Sequence, residues 1–308
     1  MTTYDLYGIG QVAMRFLQKA APQFKHIKFR AITRFPDKVK LLLPHDNIEV
    51  VHYVNHEHRE GPVFISIADN EKKYIDRFIS EHKQAPPRSL VAHSNLKQLN
   101  QLLPYMHLKN RPVFVITNPV EMICKHLRLE TKNPHIYGLG LSADKDRIRA
   151  FLEEQGQQQG ISLQSTDFQI SGLHYIQTFP LLSGHDQLVA ILKQTYPTVE
   201  SLEQCYHQMH KDIEWKIQKE FKNGHPPVER ITESLIHLIN QLEREEPICV
   251  SGGIETEEDG SFVGGILNSK TYQFRLPHMD IDDKILLKKI IEKDKQLWMQ
   301  NQLRVKTS

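Results

Sequence analysis

Short β-branched runs alternate with helix-length segments through the first half of the chain, and that alternation excludes most ways of building a core. TYDLYGIGQVAMRFLQKA reads as a strand, a glycine turn and an amphipathic helix with Val12, Phe16 and Leu17 on one face. HIKFRAIT, NIEVVHYV (47–54) and PVFISIA (62–68) follow as strands separated by polar material. A helix over about 89–105 comes next. It leads to the strand PVFVIT (112–117), a helix from Pro119, the strand HIYGL (135–139), and a helix from about Ala143 to Gln158. Strands joined by crossover helices pair in parallel. The expected class is therefore α/β, with a six-strand doubly wound parallel sheet over residues 1–142.

From about 161 the pattern changes to short strands, two helices (200–222 and 226–244), a meander (PICVSGG, SFVGGIL, TYQFRLP) and a charged helix at 281–303. Residues 143–308 are expected to form a second, α+β domain, and 308 residues suffice for two cores. The balance of 39 basic and 37 acidic side chains supplies no field to gather nucleic acid or anionic lipid, so small-molecule partners are expected. Cys124, Cys205 and Cys249 are widely spaced and form no CxxC, which suggests neither disulfides nor a metal site. With no long apolar run and no signal-peptide pattern near Met1, the expected location is the cytoplasm, away from membranes.

Gly8-Ile9-Gly10-Gln11-Val12-Ala13 fits G-x-G-x-x-A between a strand and a helix. There glycine lets backbone N–H groups approach a pyrophosphate at the positive helix end, as in Rossmann domains. The acidic residue expected about twenty positions later, for a ribose hydroxyl, is replaced by Ile32-Thr33-Arg34. Arg34 suits the 2′-phosphate of NADP, or is a solvated strand-end charge; NAD and NADP both stay open.

Three further stretches resemble the L-lactate/malate dehydrogenase family. VITNPVEM (115–122) is similar to its NPVD-type motif, and DKDRIR (144–149) to its D-x-x-R-x-R motif. GLHYIQTFPLLSG (172–184) resembles its G-E-H-G-D-x-x-x-P-x-x-S-G segment, keeping Gly172, His174, Pro180, Ser183 and Gly184 in register. The resemblance implies a divergent NAD(P)-dependent oxidoreductase that interconverts a 2-hydroxy acid and a 2-keto acid, as a homodimer or homotetramer. It implies that His174 exchanges the substrate hydroxyl proton, a task suited to a side chain titrating near neutrality. Asp144 would orient that imidazole and favour its protonated form. Arg147 would grip the substrate carboxylate by a two-point fork. Asp146 and Arg149 share the same spacing, but Arg149 fits the motif's second arginine. Asn118 would contact substrate or nicotinamide. Arg88, with Asn95 and Pro104 at the family's R-x6-N-x8-P spacing, would polarise the carbonyl oxygen when a loop closes; Arg77 is its rival.

The chain departs from the family in four places. Ala68-Asp69-Asn70 replaces an alanine-glycine turn, and Tyr175-Ile176 replaces Gly-Asp beside the histidine. His82 or Lys83 falls where the family selects its substrate, and neither matches glutamine or arginine, leaving mono- and dicarboxylic substrates open. Pro226 and Pro227 fall where lactate-type relatives offer a hydroxyl. These departures motivate a second reading, a nucleotide-binding homologue without catalysis that acts as a sensor or assembly partner.

Overall fold

A computed structural model describes residues 2–68, 71–82, 88–163, 168–174, 176–222, 228–253 and 261–306. The chain runs β1 (Thr3–Tyr7), α1 (Gln11–Gln23), β2 (Lys28–Thr33), α2 (Pro36–Leu42), β3 (Ile48–His52), β4 (Val63–Ile65), α3 (Glu71–His82), α4 (Ala92–Leu102), β5 (Val113–Val115), α5 (Val120–Thr131) and β6 (Ile136–Gly138). It continues through α6 (Leu141–Gln158), β7 (Gln169–Leu173), β8 (Gln177–Leu181), α7 (Asp186–Thr195), α8 (Leu202–Lys222), α9 (Val228–Glu243), β9 (Ile248–Gly253), β10 (Phe262–Asn268), β11 (Gln273–Arg275) and α10 (Ile281–Lys306).

β3-β2-β1-β4-β5-β6 pair in parallel, the doubly wound order expected from the alternation. The order reverses between β1 and β4, and the carboxyl ends of strands at such a reversal are where open α/β sheets hold ligands. The meander joins the same sheet. β9 pairs antiparallel with β6 at Ser251 and Gly138, and β10 and β11 continue outward. β7 and β8 form a separate antiparallel hairpin.

Side-chain alternation along β1 explains the two faces of the sheet. Tyr4 and Leu6 point into a core shared with Phe16, Leu17 and Ala20 of α1 and Leu235, Leu238 and Ile239 of α9. Tyr7 enters the opposite core, with Leu96 and Leu99 of α4 and Ile123 and Leu127 of α5. A third core packs Phe151, Phe179, Tyr206, Met209 and Ile290 between the hairpin and helices α6, α8 and α10. Each fully buried Phe or Leu contributes roughly 1.5–3 kcal/mol of transfer free energy. Asp5 is buried at the centre of β1, where Arg30 forks onto it at 2.7 and 2.9 Å and Arg111 adds a third bond at 2.9 Å. The pairing satisfies a carboxylate that would otherwise be costly to bury.

α2 and α7 were not legible as helices, and α3 fell in the long span after the fourth strand. α2 buries only Val39 and begins at a helix-compatible proline, so it shows no apolar stripe to read. The expected helix over 89–105 is three pieces: a 3₁₀ turn at Arg88–Val91, α4, and a second 3₁₀ turn at Leu103–Tyr105 around Pro104. Among the described residues no helix is long and apolar enough to cross a membrane.

Candidate active site

Five elements deliver their ends to one cleft. It is lined by Ile116 and Asn118 after β5, Leu139 and Gly140 after β6, Ser142, Ala143 and Arg147 of α6, His174 after β7, and Ile231, Ser234 and Leu235 of α9. β5 and β6, parallel neighbours ending on one side of the sheet, bring Ile116, Asn118, Leu139 and Gly140 together, and α6 follows β6 directly. α9 reaches the cleft because its apolar stripe packs along α1.

His174 is buried in the turn between β7 and β8, 8% exposed, with Nδ1 2.7 Å from Oδ2 of Asp144. Asp144 lies in the first turn of α6 and is also buried. Its Oδ1 accepts from Nη1 of Arg147 at 2.8 Å, and its Oδ2 accepts from the Thr178 hydroxyl of β8 at 3.3 Å. With i, i+3 spacing both side chains project the same way, and this pair, not Asp146 and Arg149, faces the histidine. Asp146 and Arg149 form a looser, solvent-facing pair at 3.5 Å. Nε of Arg147 and Oδ1 of Asn118 are buried at the cleft without a hydrogen-bond partner among the described residues. Buried polar atoms are rarely left so, which makes this spot fit a small polar ligand.

The ring of His174 rests on Gly140. A Cβ there would stand 2.3 Å from its Cγ, so only glycine admits the imidazole at this place. Gly172 has φ +102°, and a Cβ would meet the Gln177 carbonyl oxygen at 2.3 Å, which ties the hairpin shape to glycine.

At the other end of the sheet's ligand side, Gly8 closes β1 at φ +86°, with Ser66 O 2.6 Å from where its Cβ would be. Gly10 caps α1, and a Cβ on it would meet nothing within 4 Å. Gln11 and Val12 begin the helix, whose first turn has no acidic residue. An open, positive helix end reached past glycine suits a pyrophosphate. Thr33 ends β2 and its hydroxyl accepts the Phe35 N–H at 3.2 Å, while exposed Arg34 donates to Gln98 at 3.1 Å.

The remaining expectations separate. Arg88 begins the 3₁₀ turn before α4, and its side chain lies outside the described residues. Asn95 holds the Asn118 carbonyl at 2.7 Å, so the anchor read at that position reaches the cleft's own backbone. Arg77 sits on α3, exposed and paired with Glu81 at 2.9 Å, and does not line the cleft. His82 ends α3, exposed. Lys83, Asp69, Asn70, Tyr175, Pro226 and Pro227 lie outside the described residues. Ser234, two turns into α9, lines the cleft.

Glu121, Thr178, Gly140 and Ser251 were not read as site residues. Glu121 is buried at 2% exposure, and its Oε1 accepts the His174 backbone N–H at 2.9 Å and the Ser251 hydroxyl at 2.6 Å. Burial pushes its carboxyl up to about 7, against the opposing pull of these donors. An acidic residue in the first turn of a helix that opens at Asn118-Pro119 was the available signal, masked by its ordinary reading as a helix-dipole partner. Among the described residues no cluster of three His, Cys, Asp or Glu could hold a metal ion.

No protein-family model and no curated relative matches the sequence. Solved structures do match along nearly the whole chain. A Cryptosporidium parvum lactate dehydrogenase, solved with lactic acid and nicotinamide adenine dinucleotide, superposes at TM-score 0.71 with 13% identity over 98% of each chain. A Plasmodium falciparum malate dehydrogenase gives 0.73 and 12% over 99% of this chain and 100% of that one. An Eimeria maxima lactate dehydrogenase, solved with NADH and oxamate, gives 0.69 and 14% over 98% of this chain and 94% of that one. The similarity runs along nearly the whole of each chain, and the chain has the fold of the lactate and malate dehydrogenases.

Proposed function

We propose that the chain is an NAD(P)-dependent oxidoreductase interconverting a 2-hydroxy acid and a 2-keto acid. The observation that carries the reading is the convergence of His174, Asp144, Arg147 and Asn118 on one cleft, where Arg147 Nε and Asn118 Oδ1 lack partners. Residues 1–142 would hold the dinucleotide, through Gly8, Gly10, Gln11 and Val12 at its pyrophosphate and Thr33 and Arg34 nearer its ribose. Residues 143–308 would supply the proton-transfer and carboxylate-binding groups. NAD or NADP, held by residues 1–142, would supply or accept the hydride.

With Nδ1 of His174 engaged by Asp144, proton exchange with the substrate oxygen falls to Nε2. Oxidation of the hydroxy acid leaves an imidazolium beside the Asp144 carboxylate, which favours it; reduction of the keto acid returns that proton. With Nη1 of Arg147 on Asp144, a two-point grip of the substrate carboxylate falls to Nε and Nη2. Asn118 would contact substrate or nicotinamide, and Arg88 is the candidate to polarise the carbonyl oxygen. A homodimer or homotetramer working in the cytoplasm completes the proposal. Absorbance at 340 nm, followed with a panel of mono- and dicarboxylic 2-keto acids and both reduced cofactors, tests it. Turnover of at least one acid is expected. Tight NAD(P)H binding with no turnover across the panel would instead favour a sensor or assembly partner.

A further inference from the structure

Glu121 lies outside the residues just assigned to chemistry, yet it touches them. It enters from the first turn of α5, three positions after Asn118, and bonds through one oxygen to the backbone of His174 and to Ser251 on β9. Its other oxygen, Oε2, is buried without a hydrogen-bond partner among the described residues. Packing alone would favour an apolar side chain here, because a buried carboxyl with an unmatched oxygen is costly.

What the carboxyl achieves is geometric. The imidazole of His174 is held from α6 through Asp144, and its main chain from α5 through Glu121, so the residue is fixed at two points from two elements. His174 follows β7 directly and belongs to a tight turn, where a small shift of the backbone swings the ring. Gly140 beneath the ring tolerates no other atom, so a swing cannot be absorbed there. Ser251 lies beside Gly138 of β6, where a Cβ would come within 3.1 Å of its own Cβ, and so anchors the carboxyl to the sheet.

We propose that Glu121 is a positioning residue for His174, pinning the turn to α5 and β9 so that the imidazole stands over the Arg147 and Asn118 end of the cleft. This rests on His174 being the proton-transfer residue. The test uses the full chain with Glu121→Ala, Glu121→Leu and Glu121→Gln. It reads keto-acid reduction, NADH binding by fluorescence, and hydrogen exchange at the His174 amide. Glu121→Leu fills the space without burying a polar group and keeps the test valid if Glu121→Ala folds poorly. Both are expected to speed exchange at the His174 amide and to lower kcat about 10-fold, the scale of one lost buried hydrogen bond. NADH affinity and the keto-acid KM should hold within about 3-fold, on the same scale. Glu121→Gln, which keeps an acceptor oxygen, recovers most of both losses. Unchanged His174 exchange, or kcat per folded molecule within about 2-fold of the parent for both apolar variants, overturns the proposal. If the parent protein reduces no 2-keto acid, the functional reading fails, and the exchange measurement still decides whether Glu121 holds His174.

Discussion

Nδ1 of His174 stands 2.7 Å from Oδ2 of Asp144, joining a hairpin turn to a helix start thirty residues away. The same carboxylate receives Arg147 and Thr178, so α6 and β8 fix its plane, and through it the plane of the imidazole. A general acid–base held in this way contributes about 10²–10⁴-fold to a rate. His174→Ala is therefore expected to lower kcat by about that factor while NADH binding survives. Stopped-flow turnover beside a fluorescence titration measures both, and near-normal turnover removes His174 from the mechanism.

Arg147→Lys separates charge from shape. Lysine keeps a positive charge near Asp144 but has no planar fork, so the carboxylate of the substrate loses one of two parallel bonds. The expected result is a KM for the keto acid raised about 10-fold or more, on the scale of 1.5–3 kcal/mol for a hydrogen bond to a charged group. Steady-state kinetics over a wide substrate range checks it; an unchanged KM moves the carboxylate grip elsewhere.

The parallel half of the fold was legible because its strands are short, β-branched and separated by helices with a buried stripe, as at Val12, Phe16 and Leu17 of α1. The meander was legible as strands, but its junction to β6 was not. That junction is one antiparallel pairing, Gly138 with Ser251, and no local pattern encodes it. His174, Asp144 and Arg147 were singled out by stretches that resemble dehydrogenase motifs, each of them local in the chain. Glu121 and Gly140 did not, because what matters for each is a neighbour from a distant segment. Gly140, the glycine that follows HIYGL, looks like turn punctuation until His174 is found lying on it.

Arg34 decides between cofactors if it decides anything at the strand end. It is exposed, with Gln98 as a partner, and no carboxylate stands at Ile32-Thr33-Arg34 to repel a 2′-phosphate. Arg34→Ala is expected to reduce kcat/KM for NADPH by about 10-fold, in line with a charge-assisted hydrogen bond, and to leave NADH within about 2-fold. Equal effects on both cofactors would make Arg34 a solvated surface charge.

Glu121 carries a pH signature in stability. Its folded value of about 7 lies above the ordinary glutamate range, so between roughly 4.5 and 7 the folded protein binds more protons than the unfolded chain. Stability from this group is fully present below that window and is lost as pH rises through it, by on the order of 3 kcal/mol. Glu121→Gln cannot titrate. The stability of the parent minus that of Glu121→Gln, from urea unfolding at pH 5 and pH 8, is expected to fall with pH. A flat difference shows that Glu121 is ionised throughout.

Gly140→Ala tests the seat of the imidazole by one methyl group. Gly140 has φ −139°, outside the left-handed region that favours glycine, so the substitution acts chiefly through the space the methyl would occupy. The added carbon would sit 2.3 Å from Cγ and 2.5 Å from Cδ2 of His174, far inside van der Waals contact. The ring must move, and its bond to Asp144 must lengthen or break. Moving the helix start instead would disturb Leu141 and Asp144, which are buried there. The expected outcome is a drop in kcat of about 10²-fold, approaching His174→Ala, with NADH binding retained because Gly8 and Gly10 lie on other elements. The double variant with His174→Ala should be no worse than His174→Ala alone, since the methyl then meets no ring. Additive losses in that cycle would mean that Gly140 acts through something other than the imidazole it touches.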